Sequence, residues 1–384
     1  MTKPRVALVA HGVHDRGGME RSLAELVRHT HDEVEFHVVA TTLAPELREL
    51  VRWTRVRVPQ TPVPLFFSAF YARAGALLGG IDADLVHSMG ALHPRSSDLV
   101  SVQFCHAAFQ ELPADVLAVD GGPLRAINRR VDMRLALAAE RHAYRRGRVR
   151  EFAAASSGIR SELARFYPAI PCTVIPNGHS DDGTATNGAR GAVRARAGFR
   201  EDDVVVLFLG GDWHRKGLGI ALEGFAQAVE ATGSERLRFA VVGPGEPQAH
   251  RTRARELGIA DRVAFLGPTS EPRDHFAAAD AFVFPTAYEA FPLVALEAAA
   301  AGLPIIATRV NGIEDLVDDG VSGYLVDRTP AAVGQAIRRI TSDESLRTRM
   351  GAAATASAAA YSWSAAAERT LTCYSRLLSA GRRA

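Results

Sequence analysis

Cysteine is scarce in this chain: three among 384 residues, Cys105, Cys172 and Cys373, widely spaced and odd in number. That excludes a disulfide framework, and without neighbouring metal-ligand spacing no zinc site is indicated, so a reducing cytoplasm fits. An excess of either charge is also missing. The 45 Lys and Arg nearly balance the 43 Asp and Glu, leaving a formal +2, which gives no support for bulk nucleic-acid binding and makes any basic patch a local feature. No stretch reaches the roughly 20 apolar residues of a membrane span, and the start runs into an apolar strand rather than a charged leader and signal core. The expectation is a soluble chain that can still dock on a membrane. Nearly half the residues (47%) are apolar, enough for two domains with cores of their own. No internal repeat stands out.

The most informative stretch is residues 284–308, FPTAYEAFPLVALEAAAAGLPIIAT. Its apolar run ends at Pro285, a helix is expected from Pro292 to Ala301, and a second apolar run covers 305–308, which together read as a βαβ unit. At such a turn the free N–H groups of the first helical residues and the helix dipole favour an anion. Pro292 has no N–H, which leaves Leu293 and Val294 as donors. Glu289 falls in the loop ahead of the helix and Glu297 on the helix, expected on its buried side, where a carboxylate needs partners. Sugar hydroxyls would satisfy it; a solvated Glu289 and an internally paired Glu297 are the plainer alternative.

Taken in order, VALVA from Val6 is a buried-type strand and HGVHDRGGMERSLAELV a glycine turn entering a helix. Gly17 and Gly18 would allow close approach of a ligand, although the spacing is not G-x-G-x-x-G. Further strands are expected at 35–40, 55–58, 84–87 and 99–102, with a helix over 66–78, and the alternation argues for a parallel α/β sheet. Asp82 and Asp84 form a D-x-D pattern at a strand start, read as structural with no metal implied. The segment VSVQFCHAAF ends a strand at His106, beyond the carboxyl end where open α/β sheets bind ligands. Residues 125–150, RAINRRVDMRLALAAERHAYRRGRVR, are helix-like and dense in arginine, with an expected apolar stripe through Ile127, Val131, Leu135 and Ala138. Such a basic face suits an anionic membrane or an acidic acceptor. Asp132 and Glu140 interrupt it, which favours a merely solvated face. A strand at 151–155 follows, with Ser156 or Ser157 capping the next helix.

Residues 179–191, HSDDGTATNGARG, have linker composition and place a domain boundary near 180. The second half opens with the strand VVVLFLG and the loop GGDWHRKG, where Arg215 and Lys216 suit a diphosphate, the first as a fork and the second as a point charge. Strands are expected at 238–242 and 262–267. The tail YSWSAAAERTLTCYSRLL reads as a closing helix.

EAFPLVALEA, AAGLPIIAT, NGIEDLVDDG and SGYLV, in this order over about forty residues, resemble the donor-site signature of the retaining glycosyltransferases of family 4, with two glutamates separated by seven residues. The resemblance implies the GT-B fold, two Rossmann-like domains facing across a cleft with a C-terminal helix returning to the first. That gives an acceptor-side domain of residues 1–179 plus about 364–384, and a donor-binding domain of 180–363. It implies transfer of a hexose-type sugar, with retention and without metal or cofactor, from a nucleoside-diphosphate sugar (UDP-sugar favoured) to a carbohydrate, lipid or natural-product hydroxyl. By resemblance Glu289 meets the transferred sugar and Glu297 the ribose. His106 faces sugar and acceptor, Arg215 and Lys216 the diphosphate, while Gly17, Gly18, Phe291, Leu293 and Val294 line the donor site and backbone at 265–268 holds the base. The chain departs from the pattern at Ala290 and Pro292, where glycines are common, and at Ser180, where an aspartate is usual. It departs again at Gly211, which stands at a common arginine position, so that RKG resembles the lipopolysaccharide-core branch. A nucleotide-sugar epimerase of the same fold and a non-catalytic nucleotide-sugar-binding module are the alternative readings.

Overall fold

The computed structural model describes residues 3–117, 123–180 and 185–381. Two compact units emerge: one holds the chain up to Gly178 together with the segment from Trp363 onward, the other His179–Ser362.

In the first unit β1 (Arg5–Val9), β2 (Glu35–Ala40), β3 (Arg52–Arg55), β4 (Leu85–Met89), β5 (Ser97–Val102), β6 (Val149–Ala154) and β7 (Cys172–Val174) form one parallel sheet in the order β3-β2-β1-β4-β5-β6-β7. Central strands such as β1 are apolar on both faces because helices cover both, and Val6, Ala7, Leu8 and Val9 are all fully buried. The helix Trp363–Ser379 packs on Gly18–Thr30 and belongs to this unit. It is fastened by polar contacts: Tyr374 Oη lies 2.6 Å from His87 Nδ1, whose Nε2 lies 2.8 Å from Ser101 Oγ, and Arg376 pairs with the buried Glu151.

Three histidines of this unit are held neutral by burial: His11 and His93 are pushed down to about 4, with Arg95 adding to the effect at His93, and His87 to about 3. Unfolded, each titrates near 6.5, so between about pH 6.5 and 4 the unfolded chain binds more protons and stability falls as pH falls. We expect the unfolding free energy of the first unit to fall from pH 7 to 5 by up to about 1.4 kcal/mol per pH unit for each histidine, and its thermal midpoint to fall with it. A His87→Gln chain, followed by circular dichroism, should show a shallower slope by one proton; an unchanged slope would remove His87 from the account.

Several expectations shift. The β3 strand begins three residues earlier than the 55–58 expected, and the helix Val63–Leu78 starts ahead of 66, its first turn set by Pro62 and Pro64. His106 does not end a strand: β5 stops at Val102 and His106 opens the short helix His106–Phe109. In the helix Pro123–Ala143 the stripe through Ile127, Val131, Leu135 and Ala138 is not the inward one. Ala136, Leu137, Ala139, Glu140 and Ala143 are buried, while Ile127 and Val131 are 53% and 41% exposed. That face packs against the helices Val63–Leu78 and His106–Phe109, and the one acid on it is consumed by backbone N–H groups. The Arg125 side chain lies outside the described residues, as do residues 181–184 of the expected linker, whose end is already helical from Ala189.

The second unit repeats the plan. Strands β8 (Val204–Leu209), β9 (Leu237–Val242), β10 (Val263–Gly267), β11 (Ala281–Phe284), β12 (Ile305–Thr308) and β13 (Gly323–Val326) are parallel in the order β10-β9-β8-β11-β12-β13. Counted from its own first strand, each sheet therefore reads 3-2-1-4-5-6, with a seventh strand added at the end of the first, and the order reverses beside that first strand. In the second unit the reversal lies between β8 and β11, and a ligand is expected beyond their carboxyl ends. Fully buried Arg194 bonds the carbonyls of Ala278, Arg200, Glu201 and Asp203 and pairs with Asp280 at 2.8 Å, fixing where these two strands begin.

Candidate functional site

The loops leaving β8 and β11 carry the residues singled out in the sequence. After β8 the chain passes Gly210 and Gly211 to Asp212, the one non-glycine residue with positive φ (50°) among the described residues, a conformation Asp tolerates better than most. One helical turn, Trp213–Lys216, follows. Trp213 Nε1 donates to the Gly210 carbonyl at 2.8 Å, which anchors the turn on the strand end. Gly217 is required here: φ is 80°, and a Cβ would run into the Pro285 carbonyl of the β11 loop. The two loops are thus in van der Waals contact at the reversal point.

Lys216 and Arg215 take different roles in this contact. The Lys216 ammonium lies 4.9 Å from the centroid of Phe284 and tucked against Gly210, where a Cβ would come within 2.8 Å of it. It has no hydrogen-bond or ion-pair partner among the described residues, and burial lowers its pKa, an effect that Glu289 partly offsets. A desolvated cation without a counter-ion is costly unless an anion arrives. Arg215, expected to fork onto a diphosphate, is instead committed within the protein. Its Nε donates to Asp212 Oδ2 at 2.9 Å, and its Nη1 to the Tyr288 carbonyl and to Glu289 Oε1, the latter at 2.9 Å. Only Nη2 is left without an acceptor among the described residues. Burial works against its charge, but Glu289 and Asp212 more than compensate and hold the guanidinium protonated.

Glu289 is accordingly not a solvated loop residue. Its side chain is 13% exposed, and Oε1 also accepts from the buried Thr286 hydroxyl at 3.1 Å. Its other oxygen, Oε2, has no partner among the described residues. Pro292 proves to be the N-cap and the helix is Leu293–Ala300, with no side chain capping it, so the N–H groups of Leu293 and Val294 are open to an acceptor. The buried side of this helix is Ala295, Leu296, Ala298 and Ala299. Glu297, expected on that side, is half-buried and shares the opposite stripe with Leu293 and Val294, one turn along. Phe291 is turned inward against Tyr361, 5.1 Å between centroids, and against Gly312. Near the end of β10, Phe265 stacks with Arg251 at 4.9 Å and lies 6.2 Å from Trp213.

One residue of this site has no sequence signal. Arg328, in the turn after β13, donates to the Pro285 carbonyl at 3.1 Å and to the His214 carbonyl at 3.2 Å. It staples the two loops from behind.

In the first unit, His106 is the first residue of its helix, and its backbone N–H and that of Ala107 donate to Glu140 at 3.0 and 3.1 Å. His106 Nδ1 lies 3.3 Å from the same carboxylate. Glu140, 1% exposed, therefore sets the helix start, while the buried His106 Nδ1 beside it makes no hydrogen bond among the described residues. In the sequence Glu140 reads only as an interruption of a basic face; its place two turns from Asp132 on the alanine-lined side is the available signal. Gly17, at φ 88°, is the N-cap of Gly18–Thr30, and Gly18 its first residue. The D-x-D pattern is occupied: Asp84 accepts the Arg5 backbone N–H at 2.8 Å, and both aspartates pair with the Arg5 guanidinium. No cluster able to hold a metal ion occurs among the described residues.

Comparison with known proteins gives the family and the fold. Residues 16–182 match the model of Glycosyltransferase Family 4, and residues 203–343 that of Glycosyl transferases group 1. The chain belongs to glycosyltransferase family 4. A D-inositol 3-phosphate glycosyltransferase of Streptomyces griseus is 36% identical over 249 residues, 58% of this chain and 52% of that protein. One from Geodermatophilus obscurus is 39% identical over 223 residues, covering 55% and 48%. The chain thus spans about half the length of the curated relatives it matches. Among solved structures, WaaG, a glycosyltransferase involved in lipopolysaccharide biosynthesis, aligns over 95% of this chain and 98% of its own with a TM-score of 0.78 at 21% identity. Sucrose-phosphate synthase from Thermosynechococcus elongatus aligns over 99% and 100% with a TM-score of 0.77 at 21% identity. HepE from Anabaena, solved with UDP and glucose, covers 97% and 100% with a TM-score of 0.72 at 17% identity. The fold of this family 4 member is therefore GT-B, two parallel-sheet Rossmann-like domains.

Proposed function

We propose that this chain is a retaining glycosyltransferase that moves a hexose-type sugar from a nucleoside-diphosphate sugar to an acceptor hydroxyl without a metal. The observation that carries the reading is Lys216, a half-buried ammonium over Phe284 with no hydrogen-bond or ion-pair partner among the described residues, set where the strand order reverses. A diphosphate leaving group supplies the missing charge. The open N–H groups of Leu293 and Val294 add two donors, and fixed donors aimed at developing charge supply much of the rate acceleration in many enzymes. Glu289, held by Arg215 and Thr286, offers Oε2 to a sugar hydroxyl, and Glu297 offers its carboxylate to the ribose. For the first unit the proposal assigns His106 to the sugar and acceptor and the Gly17–Gly18 turn to ligand approach. No acid–nucleophile pair of the glycosidase kind is evident among the described residues, so attack on the face from which the diphosphate departs is the preferred route to retention.

UDP is the favoured nucleotide, supported by the UDP complex of HepE. Calorimetric titration with UDP, GDP and TDP, without and then with magnesium, tests this. We expect one of them to bind without metal, and Glu297→Gln to weaken it by about tenfold, the scale of a lost charge-assisted hydrogen bond. Failure of all three to bind would overturn the donor assignment. Binding without transfer, tried first on D-inositol 3-phosphate because of the relatives' name, or on lipid and polysaccharide acceptors, would point to a binding module.

A further inference from the structure

The loop Glu289–Pro292, on which the donor assignment rests, is braced by residues outside its own βαβ segment. Gly312, at φ 75°, has no room for a Cβ, which would come within 2.5 Å of Phe291 Cα and 2.7 Å of the Ala290 carbonyl oxygen. The turn before the helix Ile313–Leu316 is therefore pressed directly on the loop backbone. Tyr361 packs on the loop as well: its ring lies 5.1 Å from that of Phe291, and its hydroxyl donates to the Asp315 carbonyl at 2.6 Å. Phe291, 4% exposed, is thus held by both.

Tyr361 also stands at a joint of the chain. The chain passes from one compact unit to the other twice, between Gly178 and His179 and between Ser362 and Trp363. On the side of the second unit these two passages are tied together. The His179 N–H donates to the Tyr361 carbonyl at 3.0 Å, and His179 forms an isolated parallel bridge with Ser362. His179 Nε2 lies 3.2 Å from the Ala358 carbonyl, which also accepts the Tyr361 N–H at 2.9 Å. One residue carries the pairing on its backbone and the donor loop on its side chain.

We propose that Tyr361 is a positioning residue of the transfer reaction, coupling the donor loop at Phe291 to the pairing of the two chain passages at His179. The inference rests on the donor-site reading and adds a residue which that reading leaves out. Phe291 lies between Glu289 and the open N–H groups of Leu293 and Val294. A donor that fixes those groups fixes Phe291 with them, and through its ring the tyrosine whose carbonyl holds His179. Coupling of two sites is reciprocal, so a secured pairing favours the bound loop by the same factor. A second route runs through the helices, since Leu293–Ala300 packs on Glu344–Ala358, whose last residue offers the Ala358 carbonyl.

The test is amide exchange at His179, followed with and without the nucleotide among UDP, GDP and TDP that calorimetry shows to bind. Saturating nucleotide should slow it by about tenfold, within the usual range for coupled sites. Tyr361→Ala should exchange at one rate in both conditions and bind the nucleotide severalfold more weakly. A tyrosine held for stability alone would speed exchange equally with and without nucleotide, leaving their ratio as in the unaltered chain. That result would overturn the proposal and leave the coupling to the helix route. Tyr361→Phe keeps the ring and loses only the bond to Asp315; should circular dichroism show Tyr361→Ala unfolded, a lowered ratio in Tyr361→Phe supports the proposal and an unchanged one overturns it. A bound nucleotide that leaves His179 exchange unchanged in the unaltered chain would overturn it while sparing the donor site. Amides of β8 report opening of the whole unit, so exchange at His179 no faster than theirs would deny the pairing an opening of its own and overturn it too. Failure of all three nucleotides to bind would remove the donor site and the coupling together.

Discussion

Replacing Lys216 by Met should lower the transfer rate by about 10²- to 10³-fold, the usual effect of deleting one electrostatic donor from a transition-state site, and should leave the second unit as stable as before or more so. The two halves of this expectation have one cause. The ammonium sits over Phe284 and against Gly210, desolvated and with no acceptor among the described residues. In the unliganded protein its charge is a cost; on the proposed reading a bound diphosphate would offset it. Met keeps the apolar stem, so no cavity confounds the comparison. A lysine held for stability would behave oppositely, since removing one partner of a structural ion pair destabilises by several kcal/mol. Turnover at saturating donor and the thermal midpoint of the apo-protein separate the cases. A large fall in midpoint with turnover retained would make Lys216 structural and remove the central support of the donor site.

The strand–helix rhythm is legible in the sequence because parallel strands buried on both faces read as unbroken apolar runs: VALVA, VVVLFLG and IIAT each announce themselves. The loop 285–292 is legible from its two prolines and from its place between two such runs. What the sequence conceals are facings and partners. Glu297 reads as buried because the helix around it is alanine and leucine throughout, a composition with no amphipathic contrast to orient it; the packing of Ala295, Leu296, Ala298 and Ala299 decides the matter. The arginine-rich helix misleads in the same way, since alanine passes as neutral in a hydrophobic count, yet Ala136 and Ala139 are buried while Ile127 and Val131 turn out. Glu140 and Arg328 act through contacts 33 and 43 or more positions away, and nothing local marks such a residue. Arg215 reads as a ligand group because a cation beside a strand end commonly has no partner in the chain; here three acceptors, Asp212, Tyr288 and Glu289, hold it.

That reassignment carries the second large effect. Arg215→Ala should destabilise the second unit by about 3 kcal/mol, the cost of leaving a largely buried partner uncompensated, and should lower transfer as much as Glu289→Gln does. Arg215 and Glu289 are 19% and 13% exposed, 2.9 Å apart, and the same guanidinium holds the Tyr288 carbonyl, so the arginine fixes both the carboxylate and the backbone that carries it. Without it Glu289 keeps only the Thr286 hydroxyl and its Oε2 loses the aim the proposal requires. Residues acting as one unit are not additive: the double variant Arg215→Ala/Glu289→Gln should transfer no more slowly than either single one, with a coupling of about 1–3 kcal/mol in the cycle. Arg215→Lys should fall between, because an ammonium keeps the charge but cannot reach Asp212 and Glu289 from two edges of one plane. If the two losses simply added, Arg215 would be acting on the ligand through Nη2 rather than on Glu289, and the diphosphate role expected from the sequence would be restored.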